Sequence, residues 1–577
     1  MKLKALRKEI DFILLQGGLD ALDTGILDIA YDSRDVLRGS MFVCIRGHSV
    51  DGHQYISAAI EKGAVAIVIE DSTAGSHERE VGKGNGNADK RNKTEAVESN
   101  GSVQQILTSI PDNVAVISVA STRYALALMS AAFFAYPARK LTTIALTGTK
   151  GKTTTACMIK SILEAANRRA GLIGTMGIMI DDELALSPNT TPESYELHKA
   201  LAKMVAAECD YAIVEVSSQG LKLNRTAGIF FDYGIFTNLS PDHIGPAEHE
   251  SMEEYVACKS LLFRQCKSGI INFDDKHLDQ ILKNHTCAVK GFSANVTNIK
   301  TEAASANTST MPRSESLGLE TFGSNSTDLF SPAKLSRIAN SSPSAVGTAD
   351  LSALNIGLLK EKGNLGVEFD TRGRLSCHAK LSMPGRFSVY NALAAMLVCH
   401  EEGVFQRCIL KGLEKFQIKG RVEMLPVPGD YTVIIDFAHN EVSTRSILET
   451  LLEYKPKRLI CVYGCGGERS KQRRYAMGEV TGELADLCVL TADNPRSESI
   501  CDINNDIKVG LAKTACPYVE IDDRREAIAF CIKNAQPEDM IVLLGKGHEN
   551  YQDIDGIKYP FDEREAVAEA ISSAAQK

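Results

Sequence analysis

Apolar and polar positions follow two periods along most of this chain. Short runs rich in β-branched residues read as buried strands: AVAIVIE ending at Glu70, VAVISVA at Ala120, LTTIALTG at Gly148, YAIVEVSS at Ser218, YTVIIDFAH at His439, RLICVYG at Gly464, LCVLTAD at Asp493 and MIVLLGKG at Gly547. Between such runs lie longer segments with helical spacing, among them TTTACMIKSILEAAN from Thr153 and RREAIAFCIKNA from Arg524. Strands alternating with helices predict parallel sheets wrapped by helices, an α/β fold.

Two segments break this pattern, at about 71–113 and about 294–350. Both are polar, low in complexity and without the apolar periodicity that offsets chain entropy, so they read as surface insertions. A chain of 577 residues is also too long for one core, because single cores stop growing beyond roughly 300 residues. Breaks near Pro137 in AYPARK and near Gly420 in IKGRVEM predict three domains, 1–138, 139–420 and 421–577.

Composition narrows the partners. A hydrophobic share of 44% and a charged share of 24% are those of a globular protein, and a formal charge of -9 gives no general attraction to nucleic acid or to an anionic membrane. The N-terminal MKLKALRKEIDFILLQGG has only a short apolar run interrupted by charges, which fits neither a signal peptide nor a membrane span, so a cytoplasmic protein is expected. Fifteen cysteines are scattered without a C-x-x-C pair, often inside apolar runs. They read as reduced, buried thiols in preference to metal ligands or disulfides.

The stretch TGTKGKTT falls where a strand pattern gives way to a helical one. A strand-to-helix turn with glycines offers backbone N–H groups and the positive helix end to a phosphate. The general phosphate loop is G-x-x-x-x-G-K-[ST], whereas here Gly148 and Gly151 stand closer and are followed by Lys152 and Thr153. Taken alone, this is either a nucleotide site or a plain glycine turn. Glu215, at the end of an apolar run, is likewise either a magnesium ligand or a solvated acid.

Further stretches follow in order: DSRDVLRGSMFVCIRGHSVDGHQYI, NTTPES, VEVSSQGLKLNR, FTNLSPDHI, MPGRFSVYNALAA, IIDFAHN, GCGGERSKQRR, TADNPRSE and LLGKGHENYQ. Together with TGTKGKTT they resemble the Mur ligases, ATP-dependent enzymes that add amino acids to the UDP-muramoyl precursor of peptidoglycan, and in particular the branch that adds the third residue. The resemblance implies an N-terminal α/β domain binding UDP-MurNAc, a central P-loop ATPase-like parallel-sheet domain and a C-terminal Rossmann-like domain. It implies a monomer that uses ATP and Mg2+, activates a substrate carboxylate as an acyl phosphate and joins it to an amine.

Site roles follow from the same resemblance. ATP would meet Gly148, Thr149, Lys150, Gly151, Lys152, Thr153 and Thr154, then Asn391, Arg421, Asp436 and His439. Magnesium would be held by Thr153, Glu215, His243 and Lys259, the lysine as a carbamate, with Lys152, His243 and Lys259 counted as catalytic. The UDP-MurNAc-L-Ala-D-Glu substrate would meet Ser33, Thr190, Thr191, Ser217 and Arg225. Arg474, Asp493, Asn494, Pro495, Arg496, Gly545 and Glu549 would bind the amino acid, and the DNPR spelling resembles enzymes that take meso-diaminopimelate. Arginines for carboxylates and a glutamate for an ammonium complement such a zwitterion.

Several positions depart from the family's usual spelling: Lys150 and Ser388 where asparagine is common, DHIGPAEHE in place of D-H-L-D-Y-H-G, and DFAHNEV in place of DYAHTPD. They leave open a ligase adding lysine or another amino acid, a folylpolyglutamate-type relative, or a catalytically silent Mur-like binding protein. Lys152, Thr153, Glu215, His243 and Lys259 together speak against the silent reading, which needs no cation apparatus.

Overall fold

The computed structural model describes residues 1–47, 50–70, 110–241, 244–245, 248–295, 348–361, 364–414 and 416–575. The expected insertions at 71–113 and 294–350 lie almost wholly outside the described residues, as does His243. The chain divides into two compact units, one containing Met1–Ala156 and Arg168–Lys290, the other containing Cys157–Asn167 and Thr348–Lys577.

The first unit holds two sheets. In the N-terminal one, β1 (Ile13–Gln16), β2 (Asp28–Ala30), β3 (Ser40–Val43), β4 (Ala66–Glu70) and β5 (Ala115–Val119) are ordered β1-β5-β4-β3-β2. All neighbours are parallel except β1 with β5. Period two explains its burial on both faces. Met41, Val43, Ala66 and Val68 enter one core, while Phe42, Cys44, Ile67 and Ile69 enter another on the opposite face.

The central sheet comprises β6 (Thr142–Thr147), β7 (Ala170–Gly174), β8 (Gly177–Ile180), β9 (Glu183–Ala185), β10 (Tyr211–Glu215), β11 (Phe231–Phe236), β12 (Cys266–Asn272) and β13 (Ala288–Ser293). Across these strands the order runs β13-β12-β11-β6-β10-β7-β8-β9, and the sheet continues past β13 into residues 351–381. Strands β12, β11, β6, β10 and β7 are parallel, and β8 and β9 continue as antiparallel hairpins. Ile144, Ala145 and Leu146 of β6 are fully buried, as expected of a strand covered on both faces. Each such Ile or Leu contributes roughly 1.5–3 kcal/mol of burial. Two tyrosines tie the two sheets of this unit: the half-buried Tyr31 donates to Glu196 at 2.9 Å and the buried Tyr195 donates to Asp28 at 2.5 Å.

In the second unit, β14 (Leu351–Glu361), β15 (Asn364–Gly373) and β16 (His378–Leu381) form an antiparallel run. The last sheet contains β17 (Glu423–Leu425), β18 (Thr432–Asp436), β19 (Leu459–Tyr463), β20 (Leu487–Leu490), β21 (Tyr518–Glu520) and β22 (Met540–Leu544), ordered β17-β18-β22-β19-β20-β21. Only β17 is antiparallel to its neighbour. A hairpin of β23 (Tyr551–Ile554) and β24 (Ile557–Pro560) follows.

Every strand run read from the sequence is a strand, and the two helical segments are the helices Lys152–Ala165 and Arg524–Lys533. The sheets are mixed rather than purely parallel. The added antiparallel strands carry polar residues and hairpin connections that the apolar-run criterion passes over.

Candidate functional site

The centre of the first unit is the carboxyl end of β6, which lies between β10 and β11 in the sheet order. Loop 148–151 leaves this end and enters the helix Lys152–Ala165, so Glu215 on one neighbouring strand and Thr237 after the other flank the loop. This is the position at which open α/β sheets bind ligands. Gly148 has a φ of +148°, and a Cβ there would meet Thr237 Oγ1 at 2.0 Å. No other residue fits without displacing that threonine.

The loop is held almost entirely through its backbone. Thr149 N donates to Asn238 O at 2.8 Å and Lys150 N donates to Asn238 Oδ1 at 3.0 Å. Lys150 O accepts from Thr237 Oγ1 at 2.7 Å and from Asn238 Nδ2 at 3.0 Å. The lysine that replaces the family's asparagine at 150 therefore serves the loop's shape through main-chain atoms, which any side chain supplies. Thr149 Oγ1 donates to Ser240 O at 3.2 Å and lies 3.1 Å from the Tyr255 hydroxyl.

Two lysines converge on this loop. Lys152 Nζ donates to Gly148 O at 2.8 Å and to Thr149 O at 3.2 Å. Lys259 is 1% exposed, and its Nζ donates to Gly148 O at 2.8 Å while lying 4.5 Å above the Tyr255 ring. Opposite them, the fully buried Glu215 accepts from Thr153 Oγ1 at 2.9 Å and from Thr175 N and Oγ1 at 3.1 and 3.0 Å. Thr153, Glu215, Lys152 and Lys259 thus stand around one glycine loop, while Thr154 follows on the helix. A carboxylate and a hydroxyl are hard oxygen donors of the kind magnesium selects, so the residues present fit that ion.

The expected muramoyl-peptide residues form an adjoining network. Thr191 Oγ1 donates to Glu215 O at 3.0 Å and to Ser217 Oγ at 3.1 Å. Ser217 caps the short helix Ser218–Lys222 by accepting from Gly220 N at 3.0 Å. Arg225 donates to Thr191 O at 3.0 Å and pairs with Glu193 at 2.8 Å, and Glu193 also pairs with Arg123 at 3.3 Å. Thr190 Oγ1 lies 3.2 Å from Thr175 Oγ1. Ser33 follows β2 of the N-terminal sheet, and its carbonyl accepts from Lys62 at 3.0 Å.

The second unit has a charged cavity of about 140 Å³ at the carboxyl ends of its parallel strands, lined by His439, Cys465, Arg469, Arg473, Arg474, Asp493, Asn494, Arg496, Gly545 and Glu549. The buried Lys546 organises one wall: its Nζ donates to Asn494 Oδ1 at 2.9 Å, Asp493 Oδ1 at 3.3 Å and Glu549 Oε2 at 3.4 Å. Asn494 Nδ2 in turn donates to Glu549 Oε2 at 2.9 Å. Gly545 has φ +109°, and a Cβ there would come within 3.0 Å of Asp493 Oδ2. Arg496 has φ +51° and pairs backbone to backbone with Asp553, donating from N at 2.9 Å. Its side chain bonds the Gly467 carbonyl at 2.5 Å. Pro495 precedes it and accepts from Glu498 N at 3.0 Å.

Arg474 and Arg473 both line the cavity and differ in their internal partners. The Arg474 guanidinium is buried and engaged inside the protein, donating to both Glu498 oxygens at 2.8 and 2.9 Å and to Asp506 at 3.0 Å. That pairing holds the Glu498 carboxyl down at about 2. Its neighbour Arg473 donates to His439 O at 2.8 Å, and its partial burial lowers the guanidinium's pKa. Arg469 and Arg473 also line the cavity and were missed by motif reading; for Arg473 the signal was its place beside Arg474 on the helix Lys471–Leu484, since consecutive helical residues point about 100° apart.

Asp436 is nearly buried and accepts from Val422 N at 2.9 Å and Ala438 N at 2.7 Å, and burial raises its carboxyl pKa. Arg421 lies 5.3 Å from the Phe437 ring centroid, and that ring also packs on His439 at 4.6 Å and His548 at 4.9 Å. Burial lowers the pKa of both imidazoles. Asn391 is buried on the helix Arg386–Glu401, one turn after Ser388, whose hydroxyl donates to Pro384 O at 2.8 Å.

A glycine loop at a sheet switch point, with a carboxylate and two lysines beside it, defines a nucleotide-dependent α/β enzyme architecture. Comparison with known proteins gives the family. Models of the Mur ligase family catalytic domain, the Mur ligase middle domain and the Mur ligase glutamate ligase domain match residues 26–134, 146–399 and 420–547. The UDP-N-acetylmuramoyl-L-alanyl-D-glutamate–2,6-diaminopimelate ligase of Caldanaerobacter subterraneus subsp. tengcongensis is 36% identical over 550 residues, 95% of each chain. The Clostridium acetobutylicum protein of that name, numbered 1, is 35% identical over 575 residues, 99% of each chain. A solved structure of a ligase of that name superposes with a TM-score of 0.60 at 24% identity, covering 96% of both chains. The ADP complex of the Thermotoga maritima MurF ligase shares the fold, with a TM-score of 0.51 at 15% identity and coverage of 96% of this chain and 99% of that one. The chain belongs to the Mur ligase family.

Proposed function

We propose that this protein is an ATP-dependent ligase that joins meso-diaminopimelate to UDP-N-acetylmuramoyl-L-alanyl-D-glutamate through an acyl phosphate. The observation that carries the reading is identity of 36% across 95% of both chains with a relative bearing the name of that ligase. The domains are taken as 1–138 for the UDP-MurNAc moiety, 139–420 for ATP and 421–577 for the incoming amino acid. The protein works as a monomer in the cytoplasm; among the described residues no helix is long and apolar enough to cross a membrane.

The chemistry is a meeting of anions, so most of the catalytic effort is placement and charge neutralisation. The helix N-terminus that follows the loop receives the phosphates of ATP, and Lys152 turns from the loop carbonyls to the transferred phosphoryl group. Asn391, Arg421, Asp436 and His439 hold the rest of the nucleotide. Thr191, Ser217 and Arg225 orient the glutamate carboxylate that is phosphorylated, with Thr190 and Ser33 toward the sugar and the uridine diphosphate. Thr153, Glu215, His243 and a Lys259 carbamate would hold Mg2+, which would supply positive charge against the phosphate oxygens. The Lys259 N–H that donates to Gly148 O is kept when the amine takes up carbon dioxide, so this contact suits either form.

For the amino acid, Arg496 and Arg473 face its carboxylates, while Asn494 and Glu549 take an ammonium group. The Asp493–Asn494–Lys546–Glu549 network keeps that wall rigid. Arg474 acts by fixing the helix that carries Arg473. ADP release measured with UDP-MurNAc-L-Ala-D-Glu and a panel of amino acids tests the reading. Turnover is expected with meso-diaminopimelate; better turnover with lysine, or none with any amino acid, overturns it.

A further inference from the structure

The helix Met252–Ser260 and the residues just before it carry a second group of donor atoms that the ligase chemistry leaves unused. His249, Glu254 and Cys258 each present one metal-ligating atom, all within 4.8 Å of one another, with His249 and Cys258 buried and Glu254 half-buried. Positions 254 and 258 are one helical turn apart, so the carboxylate and the thiol stand on the same face.

The ring of His249 is oriented from outside. Its Nε2 lies 2.8 Å from Ser218 Oγ, and its Nδ1 lies 3.7 Å from Glu254 Oε2. With Nε2–H donated to the serine hydroxyl, the Nδ1 lone pair faces the carboxylate, the arrangement by which metal-ligating histidines are held in one tautomer. Glu254 is held as well: Lys222 Nζ pairs with Oε1 at 2.6 Å, and Oε2 accepts from Glu250 N at 2.8 Å. That oxygen retains a second lone pair.

Donors around a tetrahedral ion with bonds of about 2.0–2.3 Å stand roughly 3.3–3.8 Å apart, so the observed spacing needs shifts of about 1 Å or less. Magnesium takes oxygen donors and keeps its waters. A thiolate with an imidazole selects a softer ion. We propose that His249 Nδ1, Glu254 Oε2 and Cys258 Sγ form a site for a thiophilic divalent cation of the Zn2+ class, with water as the fourth ligand, distinct from the oxygen donors Thr153 and Glu215. Binding replaces the Cys258 S–H bond with a metal–sulfur bond and releases the proton to solvent. Because the same helix brings Tyr255 to Thr149 and Lys259 to Gly148, the cation fixes the segment that braces the phosphate loop.

The test is titration of the full-length, chelator-stripped protein with Co2+ alone, followed by absorption. The expected result is one equivalent giving a thiolate-to-cobalt charge-transfer band that excess Mg2+ does not remove and that Glu215→Gln leaves in place. Cys258→Ser removes the band, and His249→Gln weakens binding at least about tenfold. Should those buried variants not fold, Glu254→Gln at the half-buried position is expected to keep the band with similarly weakened affinity. Absence of the band, its survival in Cys258→Ser, its displacement by Mg2+, or an unchanged affinity in Glu254→Gln each overturns the site.

Discussion

The glycine loop of the first unit and the charged cavity of the second are built in different ways. The loop is one contiguous stretch, Gly148 to Thr153, which offers an anion a helix N-terminus and a lysine, with neighbouring strands holding it by hydrogen bonds to its main chain. The cavity is assembled from side chains that leave several strand ends, and its geometry depends on a buried lysine and on an internally paired arginine. A backbone site tolerates side-chain change except where a Cβ or a reacting group is concerned. A side-chain site is sensitive to neighbours that never touch the ligand.

The largest expected effect breaks the first half of this contrast at its one chemical side chain. Lys152→Ala should lower kcat/KM about 10³-fold, the loss typical of a preorganised cation at developing charge, while the melting temperature stays close to wild type. Gly148→Ala should abolish ATP binding as well, because its Cβ would sit 2.0 Å from Thr237 Oγ1. ADP-release kinetics with calorimetric titration of ATP separate the two.

Lys259 comes next. Its replacement by alanine should cost about 10²-fold in kcat, and the wild-type enzyme assayed in carbon dioxide-depleted buffer should lose activity that bicarbonate restores. Full turnover by Lys259→Ala would remove the carbamate from the mechanism.

The cavity makes the opposite forecast for two adjacent arginines. Arg473→Ala should raise the KM for diaminopimelate roughly tenfold to a hundredfold, the worth of one charge-assisted hydrogen bond, with little change in stability. Arg474→Met should instead destabilise the fold by about 2 kcal/mol, because it leaves two carboxylates facing a buried gap, with Glu498 partly solvated. Glu498 adds a pH signature. Its pKa is depressed from 4.5 to about 2 by Arg474, so its contribution is present above its unfolded value and is lost as pH falls through the folded one. The stability difference between wild type and Glu498→Gln should therefore be constant at neutral pH and shrink through that acid window in denaturant titrations.

The same contrast explains what the sequence revealed. Loop 148–153 was legible because its function is local: a strand period, two glycines, then a helical period. The α/β class was legible because buried parallel strands are continuous apolar runs, as in β6 and β22. The roles of Arg473, Arg474 and Lys546 were not, since Glu498, Asp506, Asp493 and Glu549 reach them only through the fold. Motif spelling gave Arg474 a place in the cavity but no sign of the internal carboxylates it pairs with. The antiparallel β14–β16 run escaped because alternating polar positions on those strands resemble surface segments.

The smallest effect concerns a departure from family spelling, Asn440 in DFAHNEV. Asn440 has extended backbone geometry and its side chain accepts from Ser443 N at 2.9 Å, capping the helix Glu441–Leu452. The family's usual threonine in that place is also a capping residue, so the substitution preserves a local structural task. Asn440→Thr should shift stability by a few tenths of a kcal/mol and Asn440→Ala should cost about 1 kcal/mol, both with the KM for ATP unchanged. An alanine variant with a raised KM and an unaltered melting curve would move Asn440 from the scaffold into the nucleotide site, and would show that the second unit too reads phosphate through a helix N-terminus.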